Sequence, residues 1–253
     1  MDDSWEKFAR SDPYWSVITD PRFRTGPDGN LPVSERKVFF ASGREHITHM
    51  SSVLKTYFGR RLSRRDTCID FGSGVGRLLI PMAQMCGRAI GVDISPTMRR
   101  ICLENAREFR CANVECHGGL DHPDLAETRF DWVNSFIVFQ HMDTALGMRV
   151  FDRLLQRVKP GGVISIHFTI YKSNKIASYL VDRYRYFTVN ENGVQTVFTG
   201  TDDYFPSNAM MMNDYDVTRL YMILGQHGFH RVLTEHVDHA GMNGLIFFSM
   251  KEG

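Results

Sequence analysis

Between Thr67 and Phe168 the chain alternates short, nearly continuous apolar runs with amphipathic runs of helical period, and this alternation restricts the fold more than any other feature. The apolar runs predict strands at Thr67–Phe71, Arg88–Asp93, Asn113–Cys116, within Phe130–Phe139 and at Val163–Phe168. Between them, Val75, Leu78, Leu79, Met82 and Cys86 share one helical face, although Pro81 removes a hydrogen bond there. Met98, Ile101, Cys102 and Phe109 share another, behind a Ser95 cap with Pro96 in the first helical position. Gly147, Phe151, Leu154, Leu155 and Val158 share a third, and Pro160-Gly161-Gly162 reads as the turn after it. Strands separated by helices require crossover connections, hence a mostly parallel sheet covered on both faces. A last helix is expected over Asp216–His227, stopped by Gly228. Strands at His230–Val237 and Gly244–Met250 follow, and the connection Asp238–Asn243 is too short for a helix, so those two pair antiparallel.

At 253 residues the chain is long for one domain and short for two, so a single elaborated domain is expected. Residues 1–65 form an N-terminal extension or lid, with a helix carrying Ile47, Met50, Val53, Leu54, Tyr57 and Phe58 on one side. Residues 66–170 form the core, residues 171–213 interrupt the alternation after strand five, and residues 214–253 supply the final helix and hairpin. Thirty Lys and Arg offset 29 Asp and Glu, which argues against a broad nucleic-acid surface. No apolar run approaches the roughly 20 residues that span a bilayer, and the first residues lack a secretory pattern. Five cysteines without a CxxC pair read as reduced core thiols in a cytoplasmic protein. Cys111 and Cys116 are too few for structural zinc.

The local signal that carries chemistry is Asp70-Phe71-Gly72-Ser73-Gly74-Val75-Gly76. Glycines permit a tight turn and close approach to a ligand. Dinucleotide sites space them GxGxxG and set a pyrophosphate on the helix start, whereas the spacing here is GxGxG. Asp70, two residues before the first glycine, would repel a pyrophosphate but suits an ammonium group. Asp93 ends the next strand, where a carboxylate accepts hydrogen bonds from ribose hydroxyls. A ligand with a ribose, an ammonium and no phosphate fits S-adenosylmethionine better than a nicotinamide dinucleotide.

These residues also resemble a family. Ile69–Arg77 is similar to the first motif of class I S-adenosylmethionine-dependent methyltransferases of small-molecule type, and Gly91-Val92-Asp93-Ile94-Ser95 to their second. Phe130-Asp131-Trp132-Val133 with Ser135 and Phe139-Gln140-His141 resembles their fourth-strand segment, and Leu154–Gly162 their approach to strand five. The resemblance implies an α/β fold, a Rossmann-like doubly wound sheet of seven strands, mostly parallel with an antiparallel last strand. It also implies cofactor-binding roles for Asp70, Gly72, Ser73, Gly74, Gly76 and Arg77 at the methionine end, and for Asp93 at the ribose. Ile94, Gly119 and Leu120 would meet the adenine, with Ser135 and Phe136 completing the site. Two departures mark this chain: His117–Asp121 lacks the common Gly-Asp form, and Phe136 stands where many members carry Asn or Asp.

Methyl transfer needs alignment and, for a protonated acceptor, a base. His141, after strand four, is the first candidate, with a loop-fixing role as its alternative; His167, near the end of strand five, is the second, with burial as its alternative. Tyr14 and Trp15 read either as an aromatic lid or as anchors of a surface helix, and Arg44 either as a carboxylate ligand or as a solvated cation. His227, His230, His236 and His239 lack acids at matching spacing, so no metal is expected. The interruption carries Tyr179, Tyr184, Tyr186, Phe187, Tyr204, Phe205 and Met210-Met211-Met212, fit either for an adaptable acceptor pocket or for a satellite core or homo-oligomer contact. The expected activity is methyl transfer to oxygen, secondarily nitrogen, of a small molecule. A protein that uses the cofactor structurally for a rearrangement or cyclisation, and a non-catalytic binding module, are the alternatives.

Overall fold

A computed structural model describes residues 4–26, 29–173, 185–198 and 210–253. Seven strands form the main sheet: β1 (Thr67–Phe71), β2 (Arg88–Val92), β3 (Val114–His117), β4 (Phe130–Ser135), β5 (Val158–Lys172), β9 (Val232–His239) and β10 (Met242–Met250). Their order is β3-β2-β1-β4-β5-β10-β9, and β10 runs antiparallel to both β5 and β9. This is the expected Rossmann-like, doubly wound sheet. A three-stranded antiparallel sheet joins β6 (Arg185–Asn190), β7 (Gly193–Phe198) and β8 (Asp214–Tyr215). No described helix is long and apolar enough to cross a membrane.

Two compact units divide the chain, Met1–Asn134 and Ser135–Gly253. In the first, β1 pairs parallel with β2 on one side and β4 on the other, so the middle of β1 is buried. Helices α1 (Ser4–Ser11), α2 (Pro13–Val17) and α3 (Val33–Phe58) precede the sheet, and α4 (Leu79–Ala83) and α5 (Pro96–Glu108) lie within the alternation. The Ser95 hydroxyl accepts from the Met98 amide, as its place before Pro96 predicts. Helix α3 spans 26 residues, much more than its apolar stripe from Ile47 suggests. Gly43 lies in its interior because the Arg77 backbone and side chain press against that point, leaving no room for a Cβ.

Three local expectations need correction. The helix after the glycine turn is only five residues long: residues 72–78 stay in turns and Pro81 cannot extend the ladder beyond them. Pro160-Gly161-Gly162 is part of β5, because Gly161 donates to the Lys251 carbonyl and Lys251 to that of Gly162. The final hairpin turns on two residues, Ala240 and Gly241, with φ of 58° and 83°. Both are positive, as a tight turn matched to strand twist requires.

In the second unit, α6 (Thr144–Gln156) is capped by Asp143 and α7 (Val217–Gln226) by Asp216. Phe139, Phe151, Phe168, Tyr215 and Phe247 form an aromatic core with mostly edge-on contacts. The Lys172 ammonium at the end of β5 meets the Asp214 carboxylate on β8 at 2.5 Å, with side chains 1% and 2% exposed. This pair joins the two ends of the 171–213 interruption. A buried charge stripped of its partner keeps its desolvation cost. Lys172→Met or Asp214→Ala should therefore lower stability by about 3–5 kcal/mol in urea denaturation, and the Lys172→Met/Asp214→Leu double variant by clearly less than either.

Candidate cofactor site and histidine network

Strand β1 delivers Asp70 to its carboxyl end, where the side chain is only 2% exposed. One carboxylate oxygen accepts from the Asn134 side-chain amide at 2.8 Å. Burial pushes the carboxyl up to about 7, while the Asn134 hydrogen bond and the Arg77 charge pull it down. Arg77 is itself buried, and desolvation lowers its guanidinium to about 10. The acid is thus poised to be ionised by a further cation. Immediately after it, Gly72, Gly74 and Gly76 have φ of 79°, 50° and 91°, which side chains rarely tolerate. Space is short as well: a Cβ on Gly74 would come within 2.8 Å of Val17, and one on Gly76 within 2.8 Å of the Cys102 sulfur. Both Gly72 and Ser73 donate backbone hydrogen bonds to Val92, tying the turn to β2.

Asp93 lies just beyond β2. One of its oxygens accepts from the Gly74 amide at 2.8 Å and the other from the Ser95 amide at 2.9 Å, so it links the glycine turn to the start of α5. Burial raises its pKa against those two bonds. Each oxygen retains a second lone pair for a hydroxyl donor. Ile94 beside it is 51% exposed, a Cβ on Gly119 would meet no described atom within 4 Å, and Leu120 is buried.

The extension reaches this edge through a residue that sequence reasoning missed. Glu6 on α1 accepts from the Ser95 hydroxyl, the Thr97 hydroxyl and the Thr97 amide, which with Arg10 hold its carboxyl down to about 2 despite desolvation. An acid there also favours the helix start. Tyr14 packs edge-on against Phe39 and Phe40 and donates to Asn105, which makes it part of the helix packing. Trp15 lies beneath the Arg24 guanidinium at 3.7 Å. Arg44 is exposed on α3; the arginine whose charge acts on Asp70 is Arg77.

In the second unit, Ser135 is buried and backbone strain sits two residues after it. Ile137 has φ of 58°, an outlier for a β-branched residue and a conformation found where surrounding structure imposes it. Tyr215 donates to the Phe139 carbonyl, and Asn213 binds the Gln140 and Met142 carbonyls, so the end of the interruption is laced to this segment. Phe136 stacks at 5.2 Å from the buried His167, and His167 lies 5.3 Å from His239. A Cβ on Gly244 would strike the His167 ring, so that glycine makes room for it. His141 bonds the Met211 carbonyl through Nδ1 at 2.7 Å and the Gln140 amide through Nε2 at 3.1 Å. Burial lowers its pKa to about 4, so the ring is neutral at pH 7.

Of the four histidines weighed as metal ligands, His227 pairs with Asp152, His236 with Asn243 and His239 with Gln140. Among the described residues the ligand atoms of His117, His122 and Asp124 lie within 4.8 Å of one another. Tyr179, Tyr184, Tyr204 and Phe205, and the side chains of Tyr186 and Phe187, lie outside the described residues, whereas Met211 and Met212 are described and meet His141 and Gln140.

Residues 68–162 match the profile of a family described as methyltransferase domain. No curated protein matches the sequence. The fold is similar to magnesium protoporphyrin IX methyltransferase of Synechocystis with bound S-adenosylhomocysteine, at 16% identity and a TM-score of 0.60, over 94% of this chain and 93% of that one. It is similar also to the N-methyltransferase NodS of Bradyrhizobium japonicum in complex with S-adenosylhomocysteine, at 12% identity and 0.59, over 100% of both chains. A third similar structure is the 1,6-didemethyltoxoflavin-N1-methyltransferase of Burkholderia thailandensis, at 17% identity and 0.53, over 87% of each chain. The methyltransferase-domain match at residues 68–162 thus falls on strands β1 to β4 and the start of β5 in the seven-stranded sheet.

Proposed function

We propose that the chain moves a methyl group from S-adenosylmethionine to an oxygen, and secondarily a nitrogen, of a small-molecule acceptor. The observation that carries the cofactor half is Asp70: a buried carboxyl at the glycine turn, raised to about 7 by burial that outweighs the Asn134 hydrogen bond and the Arg77 charge. The ammonium of the methionine portion supplies a further cation. The backbone of Gly72, Ser73, Gly74 and Gly76 then lies along the methionine portion, with Arg77 holding Asp70 from behind. Asp93 accepts from the ribose through the lone pairs its two backbone bonds leave. Ile94, Gly119 and Leu120 receive the adenine. The sulfonium donor is already activated, so the chain's task is to align the acceptor and exclude water. Alignment contributes up to roughly 7–11 kcal/mol in favourable cases.

The acceptor half rests on charge and on relatives. A formal net charge of +1 gives no electrostatic footprint for nucleic acid. Two of the similar structures are named for small-molecule acceptors, a porphyrin and a toxoflavin precursor. The neighbouring histidines His167 and His239 suit an acceptor that loses a proton, which favours a hydroxyl.

Calorimetry with S-adenosylmethionine and S-adenosylhomocysteine tests the reading directly. Both should bind, and Asp93→Ala should weaken them about 10- to 100-fold, the value of hydrogen bonds to a charged group; an unchanged affinity defeats the assignment. Below pH 7 binding must expel the Asp70 proton, so affinity should fall by up to about tenfold per pH unit and the heat should depend on the buffer. Above pH 7 both dependences should vanish. In the free protein the raised pKa acts against stability: between about pH 4 and 7 the folded state holds a proton the unfolded state releases. Stability therefore falls as pH rises through that window. Asp70→Asn should melt higher than the wild type at pH 8, lose that advantage toward pH 4, and bind the cofactor poorly. Thermal melts across pH check the first two outcomes and calorimetry the third.

A further inference from the structure

Gln140 is buried at the centre of four polar groups, and their geometry fixes every proton in the network. The Met211 carbonyl can only accept, so the proton of the neutral His141 ring is on Nδ1 and its Nε2 is a bare acceptor. The Gln140 group facing that Nε2 at 3.1 Å is therefore the NH2, which sets the amide's orientation. The opposite end, Oε1, accepts from the Thr169 hydroxyl and meets His239 Nε2 at 3.1 Å. An oxygen acceptor there requires the His239 proton on Nε2. Its Nδ1 is left as an unprotonated lone pair, and this atom is buried with no hydrogen-bond partner among the described residues. An orphaned acceptor of this kind costs about 1–3 kcal/mol, a cost that a ligand donating to it would relieve.

We propose that His239 Nδ1 is the base that receives the acceptor's proton, and that Gln140 is a positioning residue that holds His239 in the competent tautomer. The inference rests on the methyltransferase reading above. His239 ends β9, which runs parallel to β5 with β10 between them; His239 and Lys172 both pair with Met242, so His239 lies at the sheet edge where β5 ends, the edge at which ligands bind in parallel sheets. In the step, the bond between the donor sulfur and the methyl carbon breaks and its electron pair stays on sulfur. The acceptor oxygen forms the new bond to carbon and gives its hydroxyl proton to Nδ1. A sulfonium and a neutral imidazole thus become a thioether and an imidazolium, and charge is conserved. His141, whose two ring nitrogens are engaged, relays the Met211 constraint to Gln140.

The test combines two measurements on the full chain with S-adenosylhomocysteine or S-adenosylmethionine present. Nitrogen-detected NMR of 15N-histidine-labelled protein should find His239 neutral and protonated on Nε2 at pH 7, and Gln140→Leu should abolish that preference. Transfer of a labelled methyl into a cellular small-molecule extract should fall about 10²–10⁴-fold in His239→Gln, the usual range for a lost base. Gln at 239 keeps a donor toward Gln140, and its melting temperature and S-adenosylhomocysteine affinity should match the wild type. A His239 proton on Nδ1, or undiminished transfer by His239→Gln, overturns the assignment and leaves the methyltransferase reading standing. A wild type that neither binds the cofactor nor transfers methyl overturns that reading, and this assignment with it.

Discussion

Keeping a carboxyl out of water on the central strand is the constraint that the first unit is built around. Asp70 has neighbours in β2 and β4 on both sides, so its side chain cannot reach solvent and must be satisfied by what the fold brings to it. Asn134 donates from β4, and Arg77 returns a positive charge from just beyond the glycine turn. Arg77 in turn needs α3 to come close, which the missing Cβ at Gly43 permits. The glycine turn, the long helix and the polar residue inside an apolar strand are thus consequences of one buried acid. Such a group opposes stability, and perturbed carboxyls of this kind cluster at functional sites.

The second unit handles buried polarity differently. Around Gln140 the groups are neutral, and directionality replaces charge: each donor is matched to one acceptor, so one carbonyl determines protons two side chains away. A network of this kind rigidifies its surroundings when satisfied and is costly when any member is left over. The strain at Ile137 is the backbone counterpart, sustained because Tyr215 and Asn213 grip the residues that follow it.

Most of the architecture is readable from the residues alone, because periodicity and caps are local physics. The Ser95-Pro96 helix start, the strand Thr67–Phe71 and the antiparallel end all follow from spacing. Where the reading fails, a distant partner overrides a local signal. Pro160-Gly161-Gly162 has turn chemistry, yet the chain after Met250 pairs with it. Asn134 could have been noticed as an amide inside Phe130–Ser135, but its partner lies 64 residues earlier. Glu6, Thr169 and the Met211 carbonyl carry no sequence signature at all, since their roles come from what they face. His239 looked like one of several scattered histidines until its tautomer was fixed by its neighbours.

That fixing begins with the Met211 carbonyl, contributed by the interruption between β5 and the last helix. Segments of this kind are where relatives of one fold diverge most freely. Here the Met211 carbonyl also sets which ring nitrogen of His141 carries the proton, so the segment and the polar network around Gln140 are tied together. A chimera that grafts a foreign segment between Lys172 and Asp214 would keep the sheet and the ion pair, yet release His141 to carry its proton on either nitrogen.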